Sequence, residues 1–229
     1  MSYEHIFFDL DRTLWNFEKN SSEALHELLE THNAHALGIK ENEFIERYQI
    51  INELLWDEYR RNKISKEQLR TERFLRTFNE LGIKDKELPM KMSNDYIKVS
   101  VLKTHLYADT HEVLQYLSDK YHLHIITNGF EETQYHKINN CKLDKYFKTI
   151  TTSEKAGVNK PHRDVFEYAL RAAKAKRQKS LMIGDHIPAD IIGARRAGID
   201  QVFMNHRNET HGEKITYEVK SLAELKSLF

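Results

Sequence analysis

The chain has 229 residues, a hydrophobic fraction of 40%, and Lys plus Arg equal to Asp plus Glu at 35 each, for a formal charge of zero. That is chain enough for two small domains and apolar enough for a core. It lacks both the basic surplus that counterion release rewards in a nucleic-acid binder and an apolar run long enough to span a bilayer, so no nucleic-acid polymer and no membrane are expected as partners.

The opening, MSYEHIFFDLDRTL, has neither the basic start nor the small-residue cleavage site of a signal peptide, and a cytoplasmic location is expected. Residues 5–10 (HIFFDL) read as a buried strand. From about Phe17 to Leu106 the texture is helical: EALHELLE, FIERYQIINELLWDEYRR and KEQLRTERFLRTFNEL repeat apolar residues at spacings of three and four. Ser21 or Ser22 is a candidate cap for the first of these helices, and Ser65 with Gln68 resembles a capping box. Trp56 and Tyr59, at helical spacing, are read as packing residues. A single cysteine, Cys141, excludes an internal disulfide and a Cys-rich zinc site, and no pair of histidines has the HExxH zinc spacing.

Beyond residue 107 short apolar strands alternate with helices: HEVLQYLSDKY, HLHIIT, a helix from Glu131, KTITT, DVFEYALRAAKA, SLMIG, ADIIGARRAG and QVFMN, then a last strand and terminal helix in ITYEVKSLAELKSLF. This alternation predicts an α/β fold, a Rossmann-like parallel sheet with helices on both faces. The isolated first strand needs that sheet to pair with. The expected organisation is a core of residues 1–15 and 95–229, with an all-helical insertion, 16–94.

In such a sheet ligands bind at the carboxyl ends of the strands. Four segments there carry Asp9, Asp11 and Thr13; Thr127, Asn128 and Gly129; Lys160; and Asp185 with Asp190. Asp9, Asp11 and Asp185 brought together would repel one another, raising a pKa or requiring a cation, and carboxylates with a backbone carbonyl suit Mg²⁺. Lys160 would keep Asp9 ionised and counter charge on a transferring group. Thr127 and the backbone near Asn128 and Gly129 can donate to phosphate oxygens, and Gly129 lets the backbone approach. Asp9 is the expected nucleophile and Asp11 the expected general acid and base. Asp190 is also a candidate N-cap. Trp15 and Phe17, just past the first motif, are candidate substrate contacts.

These motifs, in this order, resemble the haloacid dehalogenase (HAD) superfamily, whose signature is DxDx[TV], a Ser or Thr, a Lys, and GDxxx(x)D. The resemblance implies a helical cap over 16–94. It makes Asp9 nucleophile and metal ligand, Asp11 a ligand through its main-chain carbonyl, and Asp185 the third ligand, while Asp190 supports the metal through water or orients Lys160. The dehalogenase branch lacks an acid two residues after the nucleophile, so Asp11 points to phosphoryl chemistry. FDLDRTLWNF, TNGF, NKPHRDVF and GDHIPADIIGARRAG resemble the YjjG-like branch of pyrimidine 5′-nucleotidases, although Arg12 stands where Asp or Gly is common and His186 where Ser, Thr or Asn is frequent. The implied activity is Mg²⁺-dependent hydrolysis of a small phosphate ester, a nucleoside 5′-monophosphate foremost. The alternatives are a phosphosugar phosphatase or mutase on the same scaffold, and a non-catalytic binding protein. Oligomeric state is not readable.

Overall fold

The computed structural model describes residues 3–229. It separates into two compact units, one built from the chain up to Phe17 with Thr104–Phe229, the other from Glu18–Lys103.

The second unit is helical, with α1 (Phe17–Thr31), α2 (Glu41–Arg60), α3 (Lys66–Glu80) and α4 (Glu87–Ser100). Apolar residues at spacings of three and four put Leu25, Leu28 and Leu29 of α1 against Phe44 and Tyr48 of α2, Phe74 and Phe78 of α3, and Met92 and Tyr96 of α4. Ser65 caps α3 as expected: its hydroxyl accepts from Gln68 N at 3.2 Å and Gln68 Oε1 accepts from Ser65 N at 2.8 Å. Two expectations are corrected. Ser21 and Ser22 do not cap α1, which already starts at Phe17; Ser21 is buried inside it, its hydroxyl bonded to Tyr96 OH at 2.9 Å. The expected boundary at residues 94–95 falls within α4, whose Met92 and Tyr96 belong to the helical cluster, so this unit runs on to Lys103. Trp56 and Tyr59 stand outside that cluster as a half-buried edge-to-face pair, 5.6 Å between centroids.

The first unit is a parallel sheet. Its strands are β1 (His5–Phe8), β2 (His122–Thr127), β3 (Phe147–Thr152), β4 (Ser180–Gly184), β5 (Asp200–Met204) and β6 (Tyr217–Val219), in the order β3-β2-β1-β4-β5-β6. Every pairing is parallel. Alternate residues face opposite ways: Ile6, Phe8, Ile125 and Ile183 join one apolar cluster, with Val113, Leu114 and Leu117 of α5 (Thr110–Ser118). Phe7, Ile126 and Met182 join the other, with Val165, Phe166 and Ala169 of α8 (Arg163–Ala173). Between these helices lie α6 (Glu131–Asn140) and the short α7 (Ser153–Ala156). The expected helix at 189–198 begins instead as a π-helical turn, Ile187–Ile192, and passes into α9 (Gly193–Arg196). No described helix is long and apolar enough to cross a membrane.

Candidate active site

β1 is flanked by β2 and β4, so the residues that end these three strands emerge side by side. Asp9 follows Phe8, and its N–H donates to Ile183 O of β4 at 2.9 Å. Asp185 follows Gly184, and Asp190 comes from the π-helical turn after it. Among the described residues these three acids can each turn one carboxylate oxygen to within 4.8 Å of the others.

Lys160, in the loop between α7 and α8, reaches into this group with its side chain 2% exposed. Its Nζ donates to Asp9 Oδ1 at 2.6 Å and to Ile126 O at 2.7 Å, and pairs with Asp190 Oδ1 at 2.6 Å. The main chain of Lys160 is clamped as well: its N–H donates to Asn128 Oδ1 at 2.7 Å, and Asn128 Nδ2 donates to its carbonyl at 3.0 Å. The Lys160–Pro161 peptide is cis.

Burial sets the electrostatics. It pushes the Asp9 carboxyl up to about 7, with Asp190 and Asp11 adding to the rise and Lys160 opposing it. Asp185 is raised well above the carboxylate range by burial and then by Asp9 and Asp190, against Arg12 and Arg207. Both arginines line a shallow cleft beside Asp185. For Lys160 burial acts downward, but Asp190 and Asp9 outweigh it, so the ammonium stays charged. Asp9 and Asp190 thus share one buried cation, with the Asp185 carboxylate close by. Converging oxygen donors with excess negative charge suit a hard divalent cation such as Mg²⁺, which a carboxylate oxygen from each of Asp9, Asp185 and Asp190 could hold.

The chain after Asp9 turns tightly. Leu10 O accepts from Leu14 N and Trp15 N, both at 2.9 Å, and Arg12 N–H donates to Trp15 O at 2.8 Å. Arg12 occupies the centre of this turn at φ 65°. An L side chain there costs roughly 1 kcal/mol, which explains why the position suits Gly or Asp; here the guanidinium lies over the Phe17 ring, 4.8 Å from its centroid. Thr13, fully buried, directs its hydroxyl to Asp9 Oδ2 at 3.5 Å. The turn also parts the two acids: Asp11 is directed to α6, where Lys137 Nζ donates to Oδ1 at 2.5 Å and Gln134 Nε2 to Oδ2 at 3.0 Å.

Four expectations change at this level. Trp15 is no candidate substrate contact: it is 1% exposed, packed in the sheet core, with Lys137 Nζ 3.8 Å from its ring centroid. Gly129 N–H donates to Thr127 Oγ at 3.0 Å and the Thr127 hydroxyl to Gln134 Oε1 at 3.1 Å, so both expected phosphate donors are engaged within the protein. The Asn128 side chain is occupied in holding Lys160. Asp190 is not the cap of its turn; His186 is, accepting from Ala189 N at 3.1 Å, while Asp190 Oδ2 accepts from His186 N at 3.1 Å.

Gln134 and Lys137 escaped the sequence reading. Their spacing of three on a helix that starts just after Thr127-Asn128-Gly129 puts both on one face, but a polar residue at helical spacing looks the same whether it faces solvent or an acid. Nothing local marks the Ile126 carbonyl as a partner of Lys160.

Comparison with known proteins agrees with this geometry. The haloacid dehalogenase-like hydrolase family profile matches residues 6–204. The chain is 30% identical to the pyrimidine 5′-nucleotidase YjjG of Escherichia coli K12, over 100% of this chain and 98% of that protein. It is 32% identical to the pyrimidine 5′-nucleotidase PynA of Streptococcus pneumoniae, over 98% and 94%. Among solved structures, the HAD-hydrolase YfnB of Bacillus subtilis bound to magnesium superposes with a TM-score of 0.91 at 28% identity, covering 100% of this chain and 99% of that one.

Proposed function

This chain belongs to the haloacid dehalogenase-like hydrolases, and we propose that it is a Mg²⁺-dependent phosphomonoesterase that acts on a nucleoside 5′-monophosphate through an aspartyl phosphate. The observation that carries the reading is Lys160 Nζ lying 2.6 Å from Asp9 Oδ1, 151 residues away in the chain, within the cluster of Asp185 and Asp190. The two pyrimidine 5′-nucleotidases at 30% and 32% identity support the substrate class. The magnesium-bound YfnB structure supports the metal. A cytoplasmic setting and a small phosphate ester as partner belong to the same reading, as does a cap role for the helical unit.

In this mechanism Lys160 holds the Asp9 carboxylate in one orientation and balances its charge. An Asp9 oxygen attacks phosphorus, the bond from phosphorus to the ester oxygen breaks, and the Asp11 carboxyl gives its proton to the leaving alkoxide. Water then attacks phosphorus, Asp11 takes the proton of that water, and the acyl-phosphate bond breaks to return Asp9 and release inorganic phosphate. Asp190 fixes Lys160, and Asn128 fixes the loop that carries it. A divalent cation held by the acids would neutralise their mutual repulsion and stabilise charge on the transferring group. For Thr127 to meet the phosphate, its hydroxyl must exchange Gln134 for the incoming oxygen.

The test is a panel of nucleoside monophosphates, sugar phosphates and p-nitrophenyl phosphate, with Mg²⁺ and with EDTA. Highest kcat/KM on a nucleoside 5′-monophosphate, lost in EDTA, is expected. A higher value on a sugar phosphate would move the substrate class to the alternative, and inactivity on every ester would leave only a binding role.

A further inference from the structure

We propose that Gln134 and Lys137 of α6 are positioning residues for Asp11, holding it where its carboxyl gives a proton to the leaving oxygen and pairing with the carboxylate that remains; this rests on the phosphomonoesterase reading above.

The Lys137 side chain is 9% exposed. A buried ammonium is costly unless paired, and Asp11 supplies the pairing: the ion pair is 2.5 Å long, while the Trp15 ring centroid lies 3.8 Å from Nζ. Packing over an indole would be served equally well by an uncharged chain of the same length, so it is the carboxylate that calls for a cation. Lys137 also lies one helical step from Gln134, whose amide joins two motifs distant in sequence. Its Nε2 donates to Asp11 Oδ2 at 3.0 Å, and its Oε1 accepts from Thr127 at 3.1 Å.

The room for that amide comes from Gly129. A Cβ at 129 would lie 2.1 Å from Gln134 Nε2 and 2.4 Å from Cδ, so no other residue leaves the amide where it is. Thr127, Gln134, Asp11 and Lys137 therefore form one hydrogen-bonded chain in which both Asp11 oxygens have partners, while the Asp11 side chain remains 26% exposed. A carboxylate anchored at both oxygens cannot wander among rotamers. Proton transfer to an alkoxide leaving group depends on such placement, where an error near 1 Å costs on the order of 10²-fold.

A residue that merely supports the fold would affect all substrates alike; a residue that positions the general acid would not. The parameter kcat/KM spans the steps through formation of the aspartyl phosphate, and p-nitrophenolate departs without needing a proton, whereas the alkoxide of a nucleotide does need one. Lys137→Met and Gln134→Met are therefore assayed on p-nitrophenyl phosphate and on the best alkyl ester of the panel, with Lys137→Arg as the conservative variant and melting curves for all. The expected result is a loss of about tenfold to a hundredfold on the alkyl ester, little loss on the aryl ester, and partial recovery in Lys137→Arg. Equal losses on both esters, or none on the alkyl ester, would overturn the positioning role while leaving the phosphomonoesterase reading intact. A wild-type protein inactive on both esters would remove that reading and this inference with it.

Discussion

Gly184 and Asp190 are packed so closely that a Cβ at position 184 would lie 2.4 Å from the Asp190 carboxylate. The bare backbone at the end of β4 is what lets Asp190 fold back to accept from His186 N–H and pair with Lys160 at 2.6 Å. Gly184→Ala must push Asp190 off Lys160, and through Lys160 disturb Asp9. The expected outcome is a fall in kcat of about 10²-fold with a stability loss of about 1–3 kcal/mol from overpacking. Steady-state kinetics beside urea unfolding would show both, and an unchanged kcat would mean that Asp190 does not matter to Lys160.

Asp9→Asn removes the proposed nucleophile without changing its shape. Turnover should fall by several orders of magnitude. Because burial and two neighbouring acids already push Asp9 up to about 7, a neutral amide relieves repulsion, and the melting temperature in EDTA should hold or rise. A pronounced drop would show that the charge of Asp9 supports the fold.

Metal should stabilise the folded chain, since the three converging acids exist together only there. At a Mg²⁺ concentration of about a hundred times Kd the gain is about 2.7 kcal/mol, visible as a rise in Tm that EDTA reverses. In Asp185→Asn the response should shrink sharply. A Tm in the wild type that ignores Mg²⁺ would count against the acids as the metal site.

A pH effect of separate origin lies at the amino ends of β1 and β2. His124 is pushed down to about 3 by burial, then by His5, His122 and Lys148. Its Nε2 faces His5 Nδ1 at 3.0 Å, its Nδ1 faces Thr149 Oγ at 2.8 Å, and Phe7 stacks on its ring. His5 is also lowered, by burial and His122 against Glu4. The folded chain thus refuses a proton that the unfolded chain binds near its ordinary value. The stability these neutral rings provide is complete above the unfolded value and is lost as pH falls from there toward 3, by about 1.4 kcal/mol per pH unit for His124. Urea unfolding from pH 7.5 to 5 should show a shallower decline in His124→Gln than in the wild type; parallel declines would refute the assignment.

Much of this site was legible because the strand ends are short and chemically distinctive. Asp9, Lys160, Asp185 and Asp190 could be named from sequence once the alternation of strands and helices implied a parallel sheet, and the structure brings those four together. Trp15 misled because an aromatic next to a catalytic motif looks like a ligand contact, and only the tight turn at Leu10 shows it sinking into the core. Asn128 lies against the Lys160 backbone and Thr127 against Gln134, partners that no local pattern reveals.

The order of apolar and polar residues by itself determined the elements, the parallel sheet, and hence which chemistries could meet at its edge, because periodicity and strand polarity are local properties of a chain. Tertiary structure alone decided which groups touch. The pairing of Lys160 with Asp9 and Asp190, the diversion of Asp11 to Lys137 and Gln134, and the close approaches at Gly129 and Gly184 all join residues from separate elements or across a turn. Such contacts are fixed by how the elements pack, at a precision of tenths of an ångström that no one-dimensional pattern carries.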